Sequence, residues 1–85
     1  MKVKVLYFAS LREKIGTHAE EIDLPAGVAT VAALRDHLRG RGGSYEHAFA
    51  EKALLRSAVN QDMVQPAAAV KAGDEVAFFP PVTGG

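Results

Sequence analysis

The sequence finishes in Gly84-Gly85, and from Val76 onward ten residues carry no charged side chain, although 24% of the whole chain is charged. An α-carboxylate borne on two residues without side chains is slender enough to be threaded into a narrow site. As a free carboxylate it is a poor electrophile, because its carbonyl already shares a full negative charge. The chain contains no cysteine, which removes disulfides, thiolate metal sites and any cysteine nucleophile.

Other residue types capable of chemistry are poorly placed for it. His18, His37 and His47 are far apart and lack both Cys partners and a helical His pair at ligand spacing, so solvated histidines are expected and no metal site. Glu20, Glu21, Asp23 and Asp36 are read as solvent-facing charge on strand edges and a helix face. Ser10, Ser44 and Ser57 have no nucleophile-elbow context. Gly40-Arg41-Gly42-Gly43 is glycine-rich but follows a helix and lacks the Lys-Ser/Thr of a phosphate loop. No active site of the chain's own is expected.

Ten Lys+Arg balance ten Asp+Glu for a formal net charge of zero. With no block of like charge, neither a nucleic-acid nor a membrane-surface footprint is present. The N-terminus lacks a secretory signal pattern and no apolar run reaches spanning length, so a cytoplasmic location is expected.

The elements that must hold the terminus in place can be read from periodicity. Val3, Val5 and Tyr7 alternate with Lys4, Leu6 and Phe8, giving a first strand. Ser10 to Gly16 reads as a short helical turn with Leu11 and Ile15 four apart and Gly16 as the stop. Ala19 to Leu24 supplies a second strand, closed by Pro25-Ala26-Gly27. Thr30 is placed to cap the main helix, whose apolar stripe is Val31, Leu34 and Leu38, with Arg39 and Arg41 near its negative pole. A weaker helical turn spans Tyr45 to Lys52 with Tyr45, Ala48 and Phe49 as its apolar stripe. Leu54 to Val59 forms a third strand, Asn60-Gln61-Asp62 a tight reversal, and Met63-Val64 a short strand limited by Pro66. Gly73-Asp74 then turns the chain into a last strand, Glu75 to Phe79.

One main helix beside a mixed sheet of four to five strands, in 85 residues, is an α+β layer plan of the β-grasp (ubiquitin-like) kind. Residues 1–79 make that domain and 80–85 a flexible, extended tail. Pro80 and Pro81 lack a backbone N–H, so they end sheet pairing and favour a semi-rigid exit. Six residues from Pro80 reach about 20 Å when extended, enough to cross into another protein. Gly84 lets the backbone pass a constriction, while Val82 and Thr83 are expected to touch the channel wall. Since Phe78 and Phe79 must point to opposite faces of the sheet, one is core and the other lies outside; Phe79 is expected to join Phe8 and Met63 in an apolar docking patch, with Arg12 at its edge.

Glu75 to Gly85, preceded by Gly73-Asp74, resembles the ending of the molybdopterin synthase small-subunit family of sulfur carriers (MoaD). Val5-Leu6-Tyr7-Phe8-Ala9 with Leu11-Arg12-Glu13, Thr30-Val31-Ala33-Leu34 and Ala58-Val59-Asn60-Gln61 are similar to that family at matching places. The resemblance spans nearly the whole chain, strongest in the final thirteen residues and vaguest from Gly40 to Lys52. It implies a Gly85 carboxylate that is adenylated by a ubiquitin-activating-like enzyme using ATP, converted to a thiocarboxylate, and emptied onto a pterin precursor in a large subunit. No stably bound cofactor is implied. Implied partners are the large subunit, as a heterotetramer of two small and two large chains, the adenylating enzyme, and a sulfur-donor protein. A thiamine-thiazole sulfur carrier and a ubiquitin-like modifier joined to a target lysine share the same features and remain alternatives.

Overall fold

The computed structural model describes residues 1–81. Five strands, β1 (Lys2–Tyr7), β2 (Ala19–Asp23), β3 (Arg56–Val59), β4 (Asp62–Val64) and β5 (Glu75–Phe79), form one mixed sheet in the order β2-β1-β5-β3-β4. The two central strands, β1 and β5, run parallel, with Tyr7 opposite Phe78; the other three pairings are antiparallel. A parallel pair cannot be joined by a tight turn. Nearly the whole chain, helices included, lies between the two strands that meet in the middle.

Three helices lie along the chain: α1 (Ala9–Ile15), α2 (Val31–Arg39) and α3 (Gly43–Ala48). Thr30 caps α2 as expected, its hydroxyl accepting from the Ala33 N–H at 3.1 Å. Gly16 ends α1 in the left-handed region at φ 90°, where a side chain would be strained. The alternation in β1 holds, with Val3, Val5 and Tyr7 buried beneath Leu11, Leu34 and Leu38 from the helices. β5 contributes Val76 and Phe78 to the same core.

Phe49, fully buried, meets Phe78 edge-on at 5.2 Å and Tyr7 at 6.1 Å, and Tyr7 in turn meets Tyr45 at 6.5 Å. These rings clamp the segment around α3 to the sheet, each such pair being worth about 0.5–1.5 kcal/mol beyond area burial. The stripe of Tyr45, Ala48 and Phe49 is thus apolar and inward-facing as the sequence suggests. Its helix, however, occupies residues 43–48 and not 45–52, because Gly42 at φ 76° and Gly43 at φ 56° turn the chain directly into it. Gly40 to Gly43 is accordingly more than an exit loop.

Two further boundaries differ from expectation. Leu54 and Leu55 lie outside β3, which begins at Arg56 because only from there does β5 offer partners, Phe79 facing Arg56. β4 begins one residue early, at Asp62, because Asn60 and Gln61 alone make the reversal, with φ 51° and 72°. Positive φ at both central residues is the hairpin turn whose twist matches the strands it joins.

Candidate functional site

Parallel pairing places the ends of β1 and β5 side by side. Phe8, the residue after β1, donates its N–H to the Phe78 carbonyl at 3.2 Å, which extends the ladder by one step and brings Phe8 alongside Phe79. Phe78 enters the core at 1% exposure, so Phe79 takes the outer face, half-buried. Phe8 is 49% exposed and Met63 57%, values far too high for core residues. All three are therefore surface residues.

The strand registers show what lies between them. Ala19, Leu6, Ala77, Ala58 and Met63 form one row of cross-strand partners across all five strands. Their alternation with Val5, Val76 and Ser57 puts this row on the face away from the helices. The next row toward the end of β5 holds Phe8, Phe79 and, opposite Phe79, Arg56. The row on the other side is charged, with Lys4 between Glu21 and Glu75. The open sheet face is therefore apolar toward the end from which the tail departs and polar away from it. Ala77 and Ala58 make a flat floor, and Leu6, Phe8, Phe79 and Met63 stand around it.

Sequence reasoning named Phe8, Met63 and Phe79 but missed Leu6, Ala58, Ala77 and Arg56. The parity of Leu6 with Lys4 and Phe8 was a usable signal. The two alanines become visible only through the register of β3 on β5, a long-range property. Arg12 lies exposed on α1, whose Arg12 N–H reaches back to the Phe8 carbonyl at 3.5 Å, so its backbone is adjacent to the patch. Pro80 and Pro81 follow β5 directly and are half-buried, with no strand assigned to them. Val82, Thr83, Gly84 and Gly85, the other residues expected to take part, lie outside the described residues.

The start of β5 is fixed as firmly as its end is free for contact. Asp74 accepts from the Lys71 N–H at 2.8 Å and from Asn60 Nδ2 at 3.0 Å, while Asn60 Oδ1 accepts from the Glu75 N–H at 3.0 Å. The Lys71 backbone bond, then that of Asn60, hold the Asp74 carboxyl below its usual range. The β3–β4 reversal is thereby tied to the turn that launches β5.

One carboxylate is misread by the sequence. Glu20 is not simply solvent-facing charge: it accepts from Tyr45 Oη at 2.6 Å, from Tyr7 Oη at 2.8 Å and from an Arg41 guanidinium nitrogen at 2.9 Å. Burial would raise its carboxyl, but the bonds from Tyr45, Arg41 and Tyr7 together outweigh burial and leave it lowered. The Tyr7 phenol is pushed strongly upward, by burial first and by its bond to Glu20 second. The Arg41 guanidinium also lies over the Tyr45 ring at 4.9 Å. The cluster joins β1, β2 and α3 on the side of the sheet opposite the apolar open face, and its role is to hold the fold.

Among the described residues no group of three or more His, Cys, Asp or Glu side chains is gathered in a way that could hold a metal ion. No helix of the described residues is long and apolar enough to cross a membrane. What the arrangement offers is an apolar platform beside the root of an uncharged tail, suited to bringing the C-terminus to a second protein.

A relative from Haemophilus influenzae, a molybdopterin synthase sulfur carrier subunit, is 48% identical over 98% of this chain and 99% of its own. Among solved structures, the putative molybdopterin converting factor subunit 1 from Pyrococcus furiosus is similar at TM-score 0.80 and 37% identity, covering 96% of this chain and 99% of that one. SAMP1 from Haloferax volcanii is similar at TM-score 0.76 and 29% identity, with full coverage of both chains. These neighbours share the β-grasp fold found here. With the family model also matching residues 5–85, the chain belongs to the ThiS family.

Proposed function

We propose that this chain is the sulfur-carrier subunit of a molybdopterin synthase, with the carboxylate of Gly85 as the group that carries the sulfur. The observation that carries the reading is near-full-length identity, 48%, to a relative bearing that name. The Gly84-Gly85 ending and the apolar face at the root of the tail support it independently.

The chemistry follows from the carboxylate. Its oxygen attacks the α-phosphorus of ATP, pyrophosphate leaves, and a mixed anhydride with AMP results. A hydrosulfide-level nucleophile then attacks the carbonyl carbon, AMP departs with the bonding pair, and a thiocarboxylate remains. ATP is used by the activating partner, a ubiquitin-activating-like enzyme, and no cofactor stays on the carrier. Phe8, Met63 and Phe79, with Arg12 at the rim, form the surface on which the large subunit sits, in a heterotetramer of two small and two large chains. From there Pro80, Pro81, Val82 and Thr83 lead the glycines to the pterin precursor. General acid and base groups belong to the large subunit, since the carrier brings only its activated end.

Intact mass spectrometry tests the reading. After incubation with ATP, the activating enzyme and a sulfur source, the C-terminal peptide should gain the mass of one oxygen exchanged for sulfur. A peptide that stays unmodified under conditions that load a control carrier refutes it.

A second reading, a protein modifier joined through Gly85 to a lysine, is favoured by the similarity to SAMP1, a small archaeal modifier protein. Gly85 found in isopeptide linkage in cell lysate, with no thiocarboxylate form, would select it.

A further inference from the structure

Away from the flat sheet face, the β3–β4 edge bears a groove that the sulfur-carrier reading leaves unused. Two cavities of about 230 and 490 Å³ adjoin there and share Leu55, Arg56, Ser57 and Pro66. The first lies against α2, with Val31, Phe78 and Leu55 as its apolar lining and Arg35 and Arg39 from the helix. The second runs past Leu54 and Val64 to Met63 and Pro81. Met63 belongs to the sheet-face patch and Pro81 to the root of the tail, so groove and patch form one continuous surface around the edge of β4.

Three features of the groove bear on its occupant. Leu54 is 79% exposed, the highest value of any large hydrophobic residue described. Ser57 is 7% exposed and its hydroxyl makes no hydrogen bond to any described residue, although it lines both cavities. Arg35 and Arg39 line the groove beside Asp36 and Glu51, with Asp36 already engaged by Arg39 at 3.0 Å, and Arg56, opposite Phe79, stands where the groove meets the sheet face. Arg35 uses one nitrogen to donate to the Ala50 and Ala53 carbonyls at 2.7 and 2.8 Å, which leaves its remaining N–H groups free for an anion.

We infer that this groove receives an extended segment of the same protein that covers the sheet face, the large subunit, carrying an apolar side chain followed by an acidic one. The inference rests on the sulfur-carrier reading. The apolar side chain lies against Leu54, Val64 and Pro66; the segment's backbone bonds to the Ser57 hydroxyl; the carboxylate meets the guanidiniums by α2. Excess positive charge selects an acidic partner, and continuity through Met63 selects the protein already seated on the sheet. An elongated groove of two joined cavities suits a chain segment better than a compact small molecule.

Titration calorimetry of the purified large subunit against the full-length carrier tests this. Leu54→Ser should weaken binding about fivefold to tenfold with an unchanged melting temperature, because the side chain is too exposed to support the fold. Arg39→Ala should flatten the dependence of affinity on salt, the signature of a lost charge contact. If Phe79→Ala weakens binding while both groove variants bind as the wild type does, the groove proposal is overturned and the sheet-face reading stands. If the wild type does not bind the large subunit at all, the sulfur-carrier reading fails and takes this proposal with it. If the free carrier self-associates through Leu54 and large-subunit affinity is unaffected by Leu54→Ser, the occupant is a second copy and the proposal is overturned.

Discussion

Replacing Glu20 by Ala should cost far more stability than a strand-edge glutamate normally does. The side chain is 24% exposed and accepts three hydrogen bonds, two of them from phenols. Tyr7 is fully buried, so its hydroxyl would be left without a partner at a cost of about 1–3 kcal/mol. Tyr45 is half-buried and can turn its hydroxyl to water, adding less. The Arg41 pair is partly exposed and contributes at most about 1 kcal/mol. Because the three bonds share one acceptor they do not simply add, and a total near 3 kcal/mol is expected. In a domain of this size that lowers the melting temperature by about 15 °C. Urea unfolding followed by far-UV circular dichroism measures it, and a double-mutant cycle with Tyr7→Phe isolates the buried bond. A loss under about 1 kcal/mol for Glu20→Ala would refute the reasoning. The same carboxylate makes a pH prediction. Its folded state holds the proton less tightly than the unfolded chain, so its contribution is complete above the ordinary carboxylate range. That contribution is lost as pH falls through the lower folded value, beneath the ordinary carboxylate range. Glu20→Gln should flatten that acid limb of the stability profile.

Phe79→Ala should weaken large-subunit binding by about tenfold or more while the protein stays folded, since the ring lies on the open sheet face and not in the core; unchanged affinity in calorimetry would remove the patch from the account. Thr30→Ala should cost about 1 kcal/mol by uncapping α2, measurable by urea unfolding. Ala9 stands at φ 54°, a left-handed conformation, immediately after Phe8. Ala9→Val should destabilise the fold by more than about 1 kcal/mol and Ala9→Gly should not, because a β-branched side chain tolerates that region least.

Much of this molecule could be read from residue order alone where the signal was local. Val3-Val5-Tyr7 parity, the Thr30 cap, the Gly16 stop and the opposed Phe78 and Phe79 all depend on neighbours within a few residues, and all stand in the structure. What failed was mostly long-range, apart from the starts of α3 and β4, which the local turns at Gly42-Gly43 and Asn60-Gln61 set. The start of β3 at Arg56 depends on where β5 offers partners, and the floor of Ala58 and Ala77 on the register between those strands. Glu20 was misjudged because both of its phenol donors are distant in sequence, 13 and 25 residues away. The groove at Leu54 follows from the same boundary, because residues expected in a strand instead turn outward beside it.

The sheet order carries a consequence for how the protein is made. β2 pairs with β1 and β4 with β3, but among the described residues these two pairs are joined within the sheet only through β5. A ribosome that has produced the first four strands therefore holds two separate pairs with no keystone between them. The sheet is therefore completed only by β5, and a polypeptide ending before Phe79 should unfold and be cleaved faster than the full chain.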